Sequence, residues 1–230
     1  MITYFEGTIF NTPAKALVNE VDTFGTEGED FSLEFTLRYP EMFKEYKERC
    51  QNYKLAIGKM DYHTEEDMIL VNFPIKRHHR YDSRLEWIED GLKHFVKTYQ
   101  EYNVTSVAFP QLGCLNGRLN WEDVKPLMEK YLSDIDAMVY ICMDSVPFAG
   151  GKEKEMVDLF NQTTESEFEE ELKLKKEKVA VLMKCQPIKR FGELNKIKEI
   201  GGATYKKLFR YFYQQKGEEE CVQLTLFDGM

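Results

Sequence analysis

Val71-Asn72-Phe73-Pro74-Ile75-Lys76-Arg77-His78-His79-Arg80 runs from an apolar stretch through a proline into a loop loaded with cations. Ser83-Arg84-Leu85 follows it closely. A second apolar stretch ends in Phe109-Pro110-Gln111-Leu112-Gly113-Cys114, again a proline and then a turn-forming loop. Two strands that each deliver a loop at the same end are how an α/β sheet builds a ligand crevice.

The surroundings fit such a sheet. Ile2 to Phe5 and Ala16 to Val18 predict short strands around a turn at Asn11-Thr12-Pro13. Phe31, Phe35, Met42, Phe43 and Tyr46 have helical spacing, broken near Pro40. Met68 to Phe73 reads as a buried strand. Leu85 to Tyr102 is the clearest helix, with Leu85, Ile88, Leu92, Phe95, Val96 and Tyr99 on one stripe and Ser83 as candidate N-cap. Val104 to Phe109 and Ala137 to Cys142 are further strands, and Trp121 to Leu132 is an amphipathic helix containing Pro126. The alternation predicts an α/β layered domain over residues 1–147 with a mixed or mostly parallel sheet.

Beyond Pro147 the character changes. Residues 148–217 are charged, with sparse apolar anchors at Met156, Leu159, Phe160, Phe168 and Leu172, and predict a smaller, mostly helical region. Lys206, Lys207 and Arg210 sit among Tyr205, Phe209, Tyr211, Phe212 and Tyr213. That cluster reads either as a nucleic-acid surface or as an amphipathic helix with a solvated basic face.

Of 230 residues, 40 are acidic and 31 basic, a formal charge of −9 that disfavours non-specific binding to DNA except through a local basic patch. No apolar run is long enough for a membrane span, and no signal-peptide pattern opens the chain. Cys50, Cys114, Cys142, Cys185 and Cys221 are scattered without a CxxC pair, as expected of reduced thiols in a cytoplasmic protein. Neither a metal-ligand set nor a cofactor is implied.

The two strand–proline–loop stretches, with Ala16-Leu17-Val18-Asn19 upstream and Asn120-Trp121 downstream, resemble a macro domain over roughly the first 145 residues. Within that family the resemblance is to the DNA ADP-ribosyl glycohydrolase antitoxins of the DarT–DarG type. It implies a three-layer α/β/α sandwich and an ADP-ribose crevice across the strand ends. Backbone amides of two Gly-rich loops would hold the diphosphate. Gly25 and Gly28 belong to the first loop, Phe24 to Phe31, and Gly113, Cys114, Asn116, Gly117 and Arg118 to the second, Leu112 to Leu119. Asn19 and Asp22 would face the ligand too, Asp22 where an asparagine usually meets the distal ribose. Lys76 matches the lysine implicated in opening that ribose, through a Schiff-base-like or general-acid role.

Several positions depart from the family pattern. Glu29-Asp30 stands where Lys-Gly is usual, Leu115 and Arg118 replace glycines, and Thr8 replaces the aspartate that recognises adenine. Two unit charges about 4 Å apart repel by roughly 4 kcal/mol at an effective dielectric of 20. The acidic loop is therefore expected to weaken ADP-ribose binding unless Arg118 reaches the phosphates. Arg77, His78, His79 and Arg80 read as a local DNA contact or as a solvated cationic loop, in which the two histidines could shuttle protons.

At the end of the chain, residues 218–230 join an acidic spacer to Gln223-Leu224-Thr225-Leu226-Phe227. The pentapeptide resembles the motif by which bacterial replication and repair proteins dock on the sliding clamp. Gln223 would fix register while Leu224, Leu226 and Phe227 fill one apolar pocket. The alternative is a terminal strand packed on the domain. Three functions stay open: a macro-fold binding module for ADP-ribose or a related nucleotide, which the departures favour; an active DNA ADP-ribosyl glycohydrolase using Lys76; and a non-enzymatic phage or mobile-element inhibitor or adaptor acting on host replication or defence.

Overall fold

Alternation of apolar side chains along the strands places helices on both faces of one sheet. In the computed structural model, which describes residues 1–28 and 30–215, the chain forms two compact units divided at Gly150/Gly151. The first unit contains β1 (Ile2–Phe5), β2 (Ala16–Asp22), β3 (Asp61–Glu65), β4 (Met68–Lys76), β5 (Ser106–Phe109) and β6 (Met138–Cys142). Its helices are α1 (Asp30–Arg38), α2 (Pro40–Gln51), α3 (Leu85–Thr98) and α4 (Trp121–Leu132). The sheet order is β1-β6-β5-β2-β4-β3, parallel throughout except for β3 against β4.

Residues Ala16 and Val18 of β2 join one core cluster with Ile88, Leu92 and Phe95 of α3 and Val124, Met128 and Leu132 of α4. Their alternates Leu17 and Val21 pack instead with Phe35 of α1 and Met42, Tyr46 and Cys50 of α2. The period of two along a strand thus makes a three-layer α/β/α sandwich. Its wholly buried aromatics include Phe95 and Phe109, edge to face at 5.1 Å. Truncating either would cost about 3–5 kcal/mol.

The first two strands fall where the sequence predicts them, with the 3-10 turn Ile9–Asn11 between them; they do not pair, and β1 lies at the far edge beside β6. Two details differ from the sequence reading. β3, Asp-Tyr-His-Thr-Glu, is an edge strand too polar to show in an apolar scan. Ser83 is not the cap of α3. Arg84 takes that position without a side-chain cap bond, while Ser83 donates its N–H to Gly117 O at 3.0 Å.

The second unit contains α5 (Gly151–Gln162), α6 (Glu165–Glu170), α7 (Lys176–Cys185) and α8 (Gly202–Gln214). Phe160, Phe168, Phe191, Phe209 and Phe212 form its aromatic core, each at most 2% exposed. Tyr205, Phe209 and Phe212 of α8 are buried while Lys207 and Arg210 are exposed, so the basic aromatic cluster is an amphipathic helix.

Candidate functional site

β2 and β4 run side by side with Asn19 opposite Asn72 and Val21 opposite Pro74, then slip so that Asp22 faces Lys76. That irregularity re-aims the strand ends. Thr23 N–H reaches Lys76 O at 3.1 Å and holds the two exits together.

Asp22 organises the first loop. Its Oδ1 accepts the N–H groups of Phe24 and Gly25 at 2.9 Å and of Thr26 at 3.2 Å, and the Tyr46 hydroxyl at 2.8 Å. Gly25 sits at φ 86°, which a side chain would strain. These three amides point at a carboxylate of the chain itself, and that oxygen of Asp22 has a structural task. In the second loop a Cβ at Gly117 would strike Gly113 O and Ser83 Oγ, which fixes that position as glycine.

Lys76 is 7% exposed and donates from Nζ to Asn116 O at 2.7 Å. Burial lowers its pKa, while Glu20 and Asp22 pull it back up. Glu20 is also buried and accepts the Gly113 N–H. Burial raises its carboxyl to about 7, against the opposing pull of that N–H and of Lys76. An amine eased toward neutrality beside a carboxyl eased toward protonation is a pair suited to proton transfer. Cys114 is no nucleophile at neutral pH, because burial, with Glu20 nearby, pushes its thiol up to about 11.

Asn19 begins a polar row across three strands. Its Nδ2 donates to Asn72 Oδ1 at 3.1 Å, Asn72 Nδ2 donates to Asp61 Oδ2 at 3.3 Å, and Asp61 Oδ1 meets Arg49 at 2.6 Å. Among the described residues Asn19 Oδ1 is buried without a hydrogen-bond partner. A buried acceptor without a donor costs about 1–3 kcal/mol, which a ligand hydroxyl or amine would recover.

Asn19, Glu20, Asp22 and Lys76 converge on a cavity of about 440 Å³. Of the residues singled out from sequence, Asn19, Asp22, Gly28, Lys76, His79, Asn116 and Arg118 line it, as do Glu27 and Leu115. Gly25, Gly113, Cys114 and Gly117 shape the loops without lining it. Nor does Thr8 line it; its hydroxyl bonds Asn11 Oδ1 at 2.8 Å. His79 Nδ1 lies 3.2 Å from Thr26 Oγ1. His78 stacks on His79 at 4.1 Å and packs against Phe24 at 4.6 Å. Arg77 lies 5.8 Å from the Trp87 ring, and Arg80, exposed, donates its N–H to His78 Nδ1 at 3.2 Å. Glu29 and the tail residues Gln223, Leu224, Leu226 and Phe227 fall outside the described residues.

Sequence reasoning missed Glu20. The signal was a carboxylate inside Ala16–Asp22, a central strand buried at all seven positions.

The sequence model of the Macro domain family matches residues 18–128. A DNA ADP-ribosyl glycohydrolase of Mycobacterium tuberculosis is 39% identical over 147 residues, covering 61% of this chain and 42% of that protein. The chain spans about two fifths of the length of the curated relatives it matches. The solved macrodomain of Thermus aquaticus DarG superposes with a TM-score of 0.59 at 32% identity, covering 62% of this chain and 98% of that one. Thermosipho africanus DarTG, solved in complex with ADP-ribose, superposes with a TM-score of 0.59 at 29% identity, covering 61% of this chain and 41% of that one. Strand order, loop placement and the nearly complete overlap with a solved macrodomain agree, and through its first unit the chain belongs to the macro-domain family.

Proposed function

We propose that the crevice binds ADP-ribose, and that the chain uses Lys76 to remove ADP-ribose from a modified nucleic-acid base. The observation that carries this reading is the Lys76 amine, nearly buried in the cavity lining and flanked by Glu20 and Asp22. Relatives described as DNA ADP-ribosyl glycohydrolases, and a related structure that holds ADP-ribose, support it. Arg118 lines the cavity opposite in charge to Glu27, so a cation is placed to offset the acidic first loop.

In the proposed reaction the neutral amine adds to the anomeric carbon of the distal ribose. The bond to the base breaks, and the base leaves with the electron pair and a proton. Water then displaces the amine and frees ADP-ribose. Glu20 is the nearby carboxyl suited to take a proton from Lys76 and return it, because its pKa lies near neutrality.

Calorimetry with ADP-ribose tests the first half, and absence of heat at millimolar ligand would overturn it. An ADP-ribosylated oligonucleotide incubated with the wild type and Lys76→Ala tests the second. Release by the wild type and not by the variant is expected; equal release by both would remove Lys76 from the mechanism.

For the tail, the reading is docking of Gln223, Leu224, Leu226 and Phe227 on a bacterial sliding clamp, which rests on the motif alone. Capture of a clamp by the full chain, lost on deleting residues 223–230, is the expected result.

A further inference from the structure

Asn72 stands opposite Asn19 on one side and Asp61 on the other, so the three residues occupy one rung across β2, β4 and β3. Each is at most 5% exposed. The two rungs before it pair Leu17 with Leu70 and Val18 with Val71, all apolar. A polar rung inside such a sheet is costly unless its groups are paired, and apolar residues of similar shape would serve stability as well. We propose that Asp61 and Asn72 are positioning residues: through this rung they fix the Asn19 amide so that its oxygen accepts a hydrogen bond from a donor group of the ligand. The inference rests on the proposed ADP-ribose crevice and adds what orients one of its acceptors.

The direction of the rung is set at its outer end. The Arg49 guanidinium lies 2.6 Å from Asp61 Oδ1. Burial raises the Asp61 carboxyl, while Asn72 and Arg49 pull it back down and favour the carboxylate. A carboxylate only accepts hydrogen bonds. Asn72 therefore turns Nδ2 toward Asp61 Oδ2, 3.3 Å away, which leaves its own Oδ1 facing Asn19. Asn19 in turn gives its Nδ2 to that oxygen at 3.1 Å. Flipping the Asn72 amide would set oxygen against oxygen at Asp61 and nitrogen against nitrogen at Asn19. Flipping Asn19 alone would set two amide oxygens against each other. One charge at the sheet edge thus fixes both amides.

The group left over is Asn19 Oδ1, which among the described residues is buried without a hydrogen-bond partner. Asn19 lines the cavity together with Glu20, Asp22 and Lys76. An acceptor held there takes a ribose hydroxyl or the adenine amine, the donors that ADP-ribose carries. It discriminates against an analogue that lacks the donor, because the oxygen then stays buried and unpaired.

Calorimetry with ADP-ribose on the full chain, on Asp61→Asn, on Asn19→Ala and on the double variant is the test. Asp61→Asn keeps the shape of the rung but lets both amides turn. Each single change is expected to weaken binding by roughly three- to tenfold, the loss of one hydrogen bond. The double variant should lose no more than Asn19→Ala alone, because Asp61 acts through Asn19. Losses that multiply, or unchanged affinity in Asp61→Asn, would overturn the proposal. Asn72→Ala interrupts the rung while sparing the pair of Asp61 with Arg49, and gives the same reading should Asp61→Asn fail to fold. In the ligand-free protein the side-chain amide protons of Asn19 and Asn72 should exchange slowly, and faster in Asp61→Asn; equal rates would also overturn it. ADP-ribose analogues that each lack one ribose hydroxyl, and the hypoxanthine counterpart that lacks the adenine amine, identify the donor. One of them should bind the wild type and Asn19→Ala equally, whereas a preference for the wild type kept by all of them would count against the proposal. A wild type that binds no ADP-ribose refutes the crevice reading and this inference with it; ADP-ribose binding that is equal in the wild type and Asp61→Asn refutes the rung alone.

Discussion

Among the described residues each unit buries one glutamate, and the two are treated in opposite ways. In the second unit Glu153 accepts Arg190 Nε at 3.1 and 3.0 Å on its two oxygens and the Phe191 N–H at 2.9 Å. A guanidinium and a backbone amide together satisfy the carboxylate, which pins the 3-10 turn Phe191–Lys196 to α5. In the first unit Glu20 accepts the Gly113 N–H, while the nearby cation, Lys76, donates to the Asn116 carbonyl. Burial is similar, 7% exposure for each glutamate, so compensation makes the difference. A charge matched by hydrogen bonds fixes structure. One left partly uncompensated shifts its pKa and is available for chemistry.

The largest expected effects come from removing each kind of group. Lys76→Ala should lower turnover on an ADP-ribosylated oligonucleotide by roughly 10²–10⁴-fold, with the melting temperature nearly unchanged. Glu153→Ala should do the reverse. Losing the carboxylate that joins Arg190 and the Phe191 N–H should destabilise the second unit by about 1–3 kcal/mol, read by urea unfolding with hydrogen exchange on the amides of α5 and α8, while ADP-ribose affinity stays as it was. A Lys76→Ala protein that unfolds, or a Glu153→Ala protein that stays fully stable, would break the contrast.

How far the sequence disclosed this contrast follows from the kind of signal each part carries. The parallel strands and α3 were legible because their apolar residues repeat at periods of two and 3.6. β3 was not, because an antiparallel edge strand with Tyr62 and His63 half-buried has no apolar run. Lys76, Asn116 and Arg118 were found by motif resemblance and do line the crevice. Glu20 was hidden because no motif marks it. Its importance comes from the pairing of β2 with its neighbours and from a loop amide 93 residues away, which only the fold brings together. The use of Asp22 as a turn anchor was equally non-local, since it depends on Tyr46 of α2 as well as on the loop. Ser83 failed as a cap because its hydroxyl is buried next to Gly117.

A smaller effect should appear as a pH dependence of stability. The folded-state pKa of Glu20 is raised from 4.5 to about 7, so between those values the native protein holds a proton that the unfolded chain has lost. Its contribution is therefore full below about pH 4.5 and is lost as pH rises through about 7. At one pKa unit per 1.36 kcal/mol the loss is at most about 3 kcal/mol. Glu20→Gln keeps the shape and abolishes the titration. Urea midpoints from pH 4.5 to 8 should fall less steeply for the variant, which becomes the more stable protein at pH 8. Parallel curves for both proteins would mean that Glu20 is compensated as Glu153 is.

The smallest effect is expected at Arg118, where side chain and backbone pull in different directions. Arg118 sits at φ 60°, a conformation costly for a residue with a Cβ, and its ion pair with Asp82 is largely exposed. Exposed pairs contribute about 0–1 kcal/mol. Arg118→Ala keeps the backbone strain and loses the guanidinium; Arg118→Gly loses both. Stability should therefore change by less than about 1 kcal/mol in either variant, with Arg118→Gly the more stable of the two if strain outweighs the extra freedom of its unfolded chain. ADP-ribose affinity should drop in both by the same factor, about two- to tenfold, as for one lost hydrogen bond. Equal loss in the two variants assigns the effect to the guanidinium. Loss in Arg118→Gly alone would assign it to the shape of the second loop, and undiminished affinity in both would leave the acidic first loop without its counterion.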